Sequence, residues 1–338
     1  KEFARALPLL EKVAQCPDIA NSNAVFQLWL TRVHVHGPER GLAQGFVESP
    51  AGGWSYGVGV RLDGDLKDEF PDDENWPQPR LEELITRYYE RGQMWFEAFF
   101  ATGKGRFRDG DAHEYSMLCN NLGIQYRFIS KEWDKAIALH EKGIAASSSA
   151  EHYAGLMWCH KAAERKEAFL DAADRLWHYA TENGYSRHDP TEYFQQVSLA
   201  LFGLDRDAEI PFWLQRLDQW WKGCDEEERA EQADDYMTTL LYVLRMMAWN
   251  QPDDALVRLA PLLQEIRTSR NVDHMGQAAD ALAYARQHES AIEWCQSALA
   301  ATDPGKEEDK DRRETWIERI AYCKKALQGQ RPWWKKWG

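Results

Sequence analysis

No stretch of eighteen apolar residues occurs in this 338-residue chain, so none of it reads as a membrane-spanning helix. Cysteine is sparse. The six thiols, at positions 16, 119, 159, 224, 295 and 323, include no CxxC pair, which removes the usual redox and zinc-binding spacings. Most sit in apolar helical surroundings and read as reduced, buried groups of a cytoplasmic protein. A phosphate-binding glycine loop, an HExxH motif and a dinucleotide fingerprint are all missing. Asp63, Asp65, Asp109 and Asp111 lack calcium-loop spacing and read as turn formers. His34 and His36 stand two apart, on different faces of a helix, and make no metal pair. No metal or cofactor is therefore expected. Positive charge is also short: 41 Lys and Arg against 55 Asp and Glu leave a formal charge of −14. That balance disfavours nucleic acid, whose binding rests on neutralised phosphates. It leaves either plain solubility or a basic protein partner. The first residue is not Met and already lies inside an amphipathic pattern, so a fragment or processed product is expected, with room for a lost targeting peptide.

What is present is mostly helical periodicity. Phe3, Ala6, Leu7, Leu10 and Val13 share one face of a helix that Pro17 ends. A second helix runs through Phe26, Leu28, Trp29, Leu30 and Val33 toward Gly37-Pro38. Residues 46–79 interrupt the pattern with five glycines between Gly52 and Gly64 and with Pro50, Pro71, Pro77 and Pro79. This segment reads as a long insertion in which Val58, Val60 and Leu62 alternate like one short strand. Loops of that length in a folded domain are often functional. Pro79 opens another helix, through Leu81, Ile85, Tyr88, Met94, Phe96 and Phe100.

Residues 119–147 carry the clearest organisation. Leu122, Gly123, Tyr126 and Phe128 mark one short helix, and Trp133, Ala136, Ile137, Leu139, His140, Gly143 and Ile144 a second. The Leu-Gly pair, the aromatic after it and the Ala opening the next helix resemble a tetratricopeptide-type (TPR) hairpin. Gly123 precedes Ala136 by thirteen residues, one more than the usual spacing, and Gly155 precedes Ala168 by the same interval. The shared interval argues for a real repeat. Looser hairpins follow: Tyr193–Phe202 with Ala208–Trp221, Tyr236–Trp249 with Asp253–Ile266, and Met275–Arg286 with Ser290–Ala301. Alanines 136, 168, 208, 255 and 291 are expected to open the second helices. Helix Glu307–Leu327, apolar at Trp316, Ile317, Ile320, Cys323 and Leu327, reads as a terminal cap. The expected fold is thus an all-α, TPR-like α-solenoid. Its expected divisions are irregular hairpins with the insertion over 1–112, repeats with a cap over 113–327, and a basic, Trp-rich tail over 328–338.

Gly53-Trp54-Ser55-Tyr56-Gly57 spells the nucleophile-elbow pattern, but proline and glycines precede it and a strand-like VGVRL follows, the reverse of what that chemistry needs. A glycine turn is the better reading, and a hydrolase using Ser55 is kept as a distant alternative. Acid concentrates at Asp63–Glu74, where Asp72 and Asp73 stand, and at Asp225–Asp235. Either run is a solvated surface or a docking patch for basic protein. Of sixteen Trp, four (Trp95, Trp133, Trp158, Trp177) sit at core-like helix positions. Trp54, Trp76, Trp333, Trp334 and Trp337 lack an evident core and are candidate contacts. The resemblance implies a groove lined by the first helices of successive hairpins. Its matching places are Met117, Asn120, Ile124, Arg127 and Phe128, then Glu151 or His152, Leu156, His160 and Lys161. Asn120 with Arg127 resembles part of a pair that holds a peptide carboxylate, while the full basic clamp is absent. The expectation is a non-catalytic module that binds a protein partner in this groove. The alternative is a cytoplasmic immunity protein that neutralises a basic, nuclease-like toxin.

Overall fold

The computed structural model describes residues 2–14, 27–28, 31–32, 34–36, 60, 78–101, 111–183 and 190–329. Every regular element among them is helical, as the periodicity requires. Val60 is helical too, so the alternation at Val58, Val60 and Leu62 makes no strand at its central residue. Three alternating apolar residues are too short a pattern to choose between the two periods. Apart from Val60 and the start of the helix at Gln78, the 46–79 insertion lies outside the described residues. Ser55, Trp54, Asp72, Asp73, Trp76 and the 330–338 tail lie outside them as well.

Two compact units divide the chain after Tyr179. In the first, α1 (Glu2–Ala14), α2 (Gln78–Ala101) and α3 (Asp111–Gln125) precede α4 (Trp133–Ala146), α5 (Ala150–Ala162) and α6 (Lys166–Asn183). Ile85, Tyr88, Tyr89 and Phe96 turn one stripe of α2 into the core. Glu97 ties α2 onward, accepting from Tyr115 Oη at 3.0 Å on α3 and from Lys142 Nζ at 2.7 Å on α4. Burial pushes its carboxyl up, but the bonds from Lys142, Gln93 and Tyr115 outweigh that and hold it below the usual carboxylate range. The 112/113 boundary expected from sequence falls within the first turn of α3, which packs on α2. On the far side, Arg175 of α6 grips Glu141 of α4 at 2.7 and 3.0 Å, and Tyr179 Oη donates to the Ser148 carbonyl at 2.9 Å.

In the second unit the helices are α7 (Thr191–Phe202), α8 (Ile210–Gly223), α9 (Glu226–Ala248), α10 (Pro252–Ser269), α11 (Val272–Tyr284), α12 (His288–Ala301) and α13 (Glu307–Leu327). They pair as the expected hairpins, and α7, α9 and α11 also pack in succession. Thr239 of α9 joins that row, donating to the Thr191 carbonyl at 3.0 Å and accepting from Gln195 at 3.0 Å. The cap α13 is held from its inner face. Trp316 lies over Gly276, where an added Cβ would stand 2.5 Å from the indole nitrogen. Arg319 reaches Asp280 at 2.7 Å, and Arg313 closes the last turn of α12 through the Leu299 carbonyl at 2.7 Å. Ile317 and Leu327, expected on the buried face, are exposed, because this inner face follows Trp316, Arg319 and Cys323 instead.

The turns set the register. Lys131, Glu164, Asp205, Arg270 and Arg286 all adopt positive φ at helix ends, between 54° and 63°. Five residues after each comes a buried side chain: Ala136, Phe169, Ile210, Met275 and Ala291. Ala136, Ala255 and Ala291 are buried as expected. Ala168 is only half-buried and Ala208 is exposed, so Phe169 and Ile210 open those second helices. Three of the turns close with the same bond, from Arg165 N to His160 O, Arg206 N to Leu201 O, and Gln287 N to Leu282 O, at 2.8–2.9 Å. The first hairpin is one residue wider. Its bond runs from Glu132 N to Tyr126 O at 2.9 Å around a π-helical turn, Tyr126–Ser130. That inserted residue accounts for the long Gly123–Ala136 interval. Aligning the closing carbonyls of Tyr126 and His160 matches Leu122 with Leu156 and Gly123 with Met157, all buried. Gly155 is thus not the counterpart of Gly123, and its own presence needs a separate reason.

Candidate partner-binding surface

The π turn shapes the surface beside it. Tyr126 points inward and donates to Glu90 Oε1 at 2.5 Å, which fixes the turn against α2. One residue of extra winding then carries the following side chains outward: Phe128 is 60% and Ile129 45% exposed. Ile124, one turn earlier, is 39% exposed. The Arg127 guanidinium lies 4.0 Å from the centre of the Phe128 ring. In the register set by the turns, Ile124 matches Trp158 of α5, a half-buried indole covered by Lys161 Nζ at 4.8 Å. Two consecutive first helices therefore each present an aromatic ring with a cation over its face. A cation so placed gains about 0.5–1 kcal/mol where water reaches it.

The other expected groove residues divide. Met117 and His160 are half-buried, Asn120 is nearly buried and Lys161 is exposed. Leu156 is fully buried and leaves the candidate set, because as the match of Leu122 it faces the second helices. Trp158 enters in its place. Its sequence position had suggested core, since a Trp in a repeat helix is core by default and only the register shows otherwise. Of the four expected core tryptophans, Trp177 is buried, whereas Trp95, Trp133 and Trp158 are half-buried. The cysteines follow expectation where described: Cys119, Cys159, Cys224, Cys295 and Cys323 are free and buried. Burial pushes the Cys119 thiol up to about 12 and the Cys159 thiol to about 11, which leaves neither as a nucleophile at neutral pH.

Beneath the surface lies a polar cluster. His140 of α4 and His152 of α5 are 1% and 0% exposed, with their Nδ1 atoms 3.3 Å apart. His152 Nε2 lies 2.7 Å from Ser116 Oγ, and Ser116 Oγ lies 2.8 Å from the Ser147 carbonyl. The carbonyl can only accept, so the serine hydroxyl donates to it and His152 Nε2–H donates to the serine. His152 Nδ1 is then the acceptor for His140 Nδ1–H. The other end of the chain, His140 Nε2, is buried with no hydrogen-bond partner among the described residues. Ser116 and His152 are close enough for a catalytic dyad, but a general base must accept the serine proton, and here the imidazole donates. Ser116 is also buried. The arrangement is structural. His274, near Thr238 Oγ1 at 3.1 Å, and His34, stacked on Phe3 at 4.3 Å, are likewise occupied in packing. Among the described residues no group of three His, Cys, Asp or Glu could hold a metal.

No protein-family model matches the chain, and no curated protein matches it. Among solved structures, one that is similar is described as "Crystal Structure of P58(IPK) TPR Domain at 2.5 A". It is 13% identical, with 98% of this chain and 95% of that chain covered, at a TM-score of 0.28.

Proposed function

We propose that this chain is a non-catalytic protein-binding module and that its partner lies across the first helices of the α3–α4 and α5–α6 hairpins. The observation that carries this is the pair of ring-and-cation sets, Phe128 with Arg127 and Trp158 with Lys161, beside exposed Ile124 and Ile129. Aromatic and Arg side chains dominate interface hot spots because they bury large area at small conformational cost. The cations suit a partner segment that carries carboxylates among apolar side chains.

The alternative, neutralisation of a basic toxin, rests on charge. Glu226, Glu227, Glu231 and Asp235 are exposed along the start of α9. Their neighbours are committed within the chain: Asp225 and Glu228 form a capping box, and Asp234 accepts from Asn271 at 2.8 Å. One experiment separates the readings. The folded chain, its Phe128→Ser/Lys161→Glu variant and its Glu226→Lys/Glu227→Lys variant are compared as baits in lysate of the source cell. Loss of the same captured protein by the first variant alone supports the groove. Loss by the second alone supports the basic partner, and retention by both overturns each. Ser55→Ala is expected to leave function intact, and lost function with unchanged binding would restore the hydrolase.

A further inference from the structure

The sequence contains His140-Glu-Lys-Gly143 and His152-Tyr-Ala-Gly155, the same His-to-Gly interval on two successive helices. In the structure the two motifs interlock. A Cβ on Gly155 would stand 2.2 Å from the His140 ring, and a Cβ on Gly143 would stand 2.1 Å from the His152 ring. Gly123 of α3 closes the other side of His140, with a Cβ there 2.8 Å from Nε2. Each imidazole thus occupies the space that the other helix's glycine leaves, and α3, α4 and α5 meet around the pair.

This joint has no place for a proton. Adding one at His152 Nδ1 would set two N–H donors against each other across 3.3 Å. Adding one at His140 Nε2 would bury a cation on an atom that has no acceptor among the described residues. From the neighbouring elements, Arg127 after α3 adds positive potential at His140, while Glu151 of α5 and the Ser116 backbone of α3 favour the charged form of His152 without outweighing its burial. Ser116 faces His152, while Asp171, Arg175 and Arg165 act on His160 rather than on the pair. Burial, then the charges of His152 and Arg127, depress His140 to about 3, and burial depresses His152. The open chain has ordinary imidazoles, near 6.5, so it binds more protons than the folded one. Stability of the joint is therefore fully present above about pH 6.5 and is lost as pH falls below it, up to about tenfold per pH unit for each ring.

We infer that the His140–His152 junction is an acid-sensitive joint, at which α3, α4 and α5 separate locally as pH drops from neutral toward 5. The test uses the full chain with labelled histidine. Ring resonances of His140 and His152 are expected to stay those of neutral imidazole, in the tautomers given above, until the joint opens. Hydrogen exchange, corrected for its intrinsic pH dependence, is expected to show α3–α5 losing at least tenfold more protection than α9–α12 between pH 7.5 and 5.5. Either ring titrating near 6.5 with α3–α5 protection unchanged overturns the proposal. So does a protection loss spread equally over both regions. His140→Gln, which keeps a donor for His152 without titrating, is expected to reduce the acid-induced loss up to about tenfold per pH unit. An unchanged loss in a folded His140→Gln overturns it. Should that variant not fold, the ring titration and exchange of the parent decide.

Discussion

At the scale of single residues, the glycines of this chain are not equivalent. Gly143 and Gly155 are seats for imidazole rings that are themselves pinned by hydrogen bonds, so an added methyl cannot be accommodated by rotating the ring away. Gly143→Ala and Gly155→Ala are each expected to cost about 1–3 kcal/mol, the usual range for overpacking, read as a lower urea midpoint. Gly223, in the last turn of α8, meets nothing within 4 Å. Gly223→Ala is expected to stabilise by about 0.4–1 kcal/mol by restricting the unfolded chain. Equal effects at Gly143, Gly155 and Gly223 would show that the seats are not tight. The sequence placed Gly143 on the second helix of the 119–147 hairpin, and that was legible. What fills the space was not, because a histidine's partner lies on another helix.

At the scale of elements, helix existence was easy to read and helix register was not. The helix at 307–327 and the three later hairpins stand where periodicity put them, except that α9 begins at Glu226 rather than at the expected Tyr236. The turns escaped notice because their left-handed positions carry Lys, Glu, Asp and Arg rather than Gly, the residue whose presence marks a helix end. Those positions cost conformational energy, so Glu164→Gly and Asp205→Gly are each expected to stabilise by up to about 1 kcal/mol. A lowered denaturation midpoint in both would contradict that reading of the turns. The register makes a second test. Ala136→Leu is expected to destabilise by about 1–3 kcal/mol while Ala168→Leu changes little, and Phe169→Ala is expected to cost about 3–5 kcal/mol. Two alanines that had looked equivalent differ because the turns match Ala136 with Phe169, one residue past Ala168. At the start of α9, Asp225→Ala removes the side-chain acceptor of the Glu228 N–H, one of the two bonds of a capping box, and is expected to cost about 1 kcal/mol.

For the whole molecule, the excess of acid and the ring-and-cation surface make opposite demands on binding kinetics. Contact through Phe128 and Trp158 predicts that Phe128→Ala shortens the lifetime of the complex by about tenfold or more, with an on-rate close to the parent's. Raising salt should then change the on-rate little. Acid that steers a basic partner would give the reverse: association slowing as screening lengths fall below about 8 Å, and lifetimes indifferent to Phe128. Surface plasmon resonance of parent and variant at two salt concentrations reads both.

The sequence alone determined that the chain is helical, that its helices pair as short-looped hairpins and that no established catalytic motif accompanies them. Each of these follows from local pattern: an apolar period of 3.6, short breaks between periodic runs, and the presence or lack of fixed spacings. Tertiary structure decided which residues share a face. A π turn at Tyr126 displaces everything after it, sending Phe128 and Ile129 outward. A register two residues away from the sequence alignment turns Leu156 inward and brings Trp158 to the surface. The two His-Gly motifs become one joint only because α4 and α5 cross at those residues. Such facts depend on cumulative rotation along a helix, where one residue is a turn of 100°, and no local pattern records the sum.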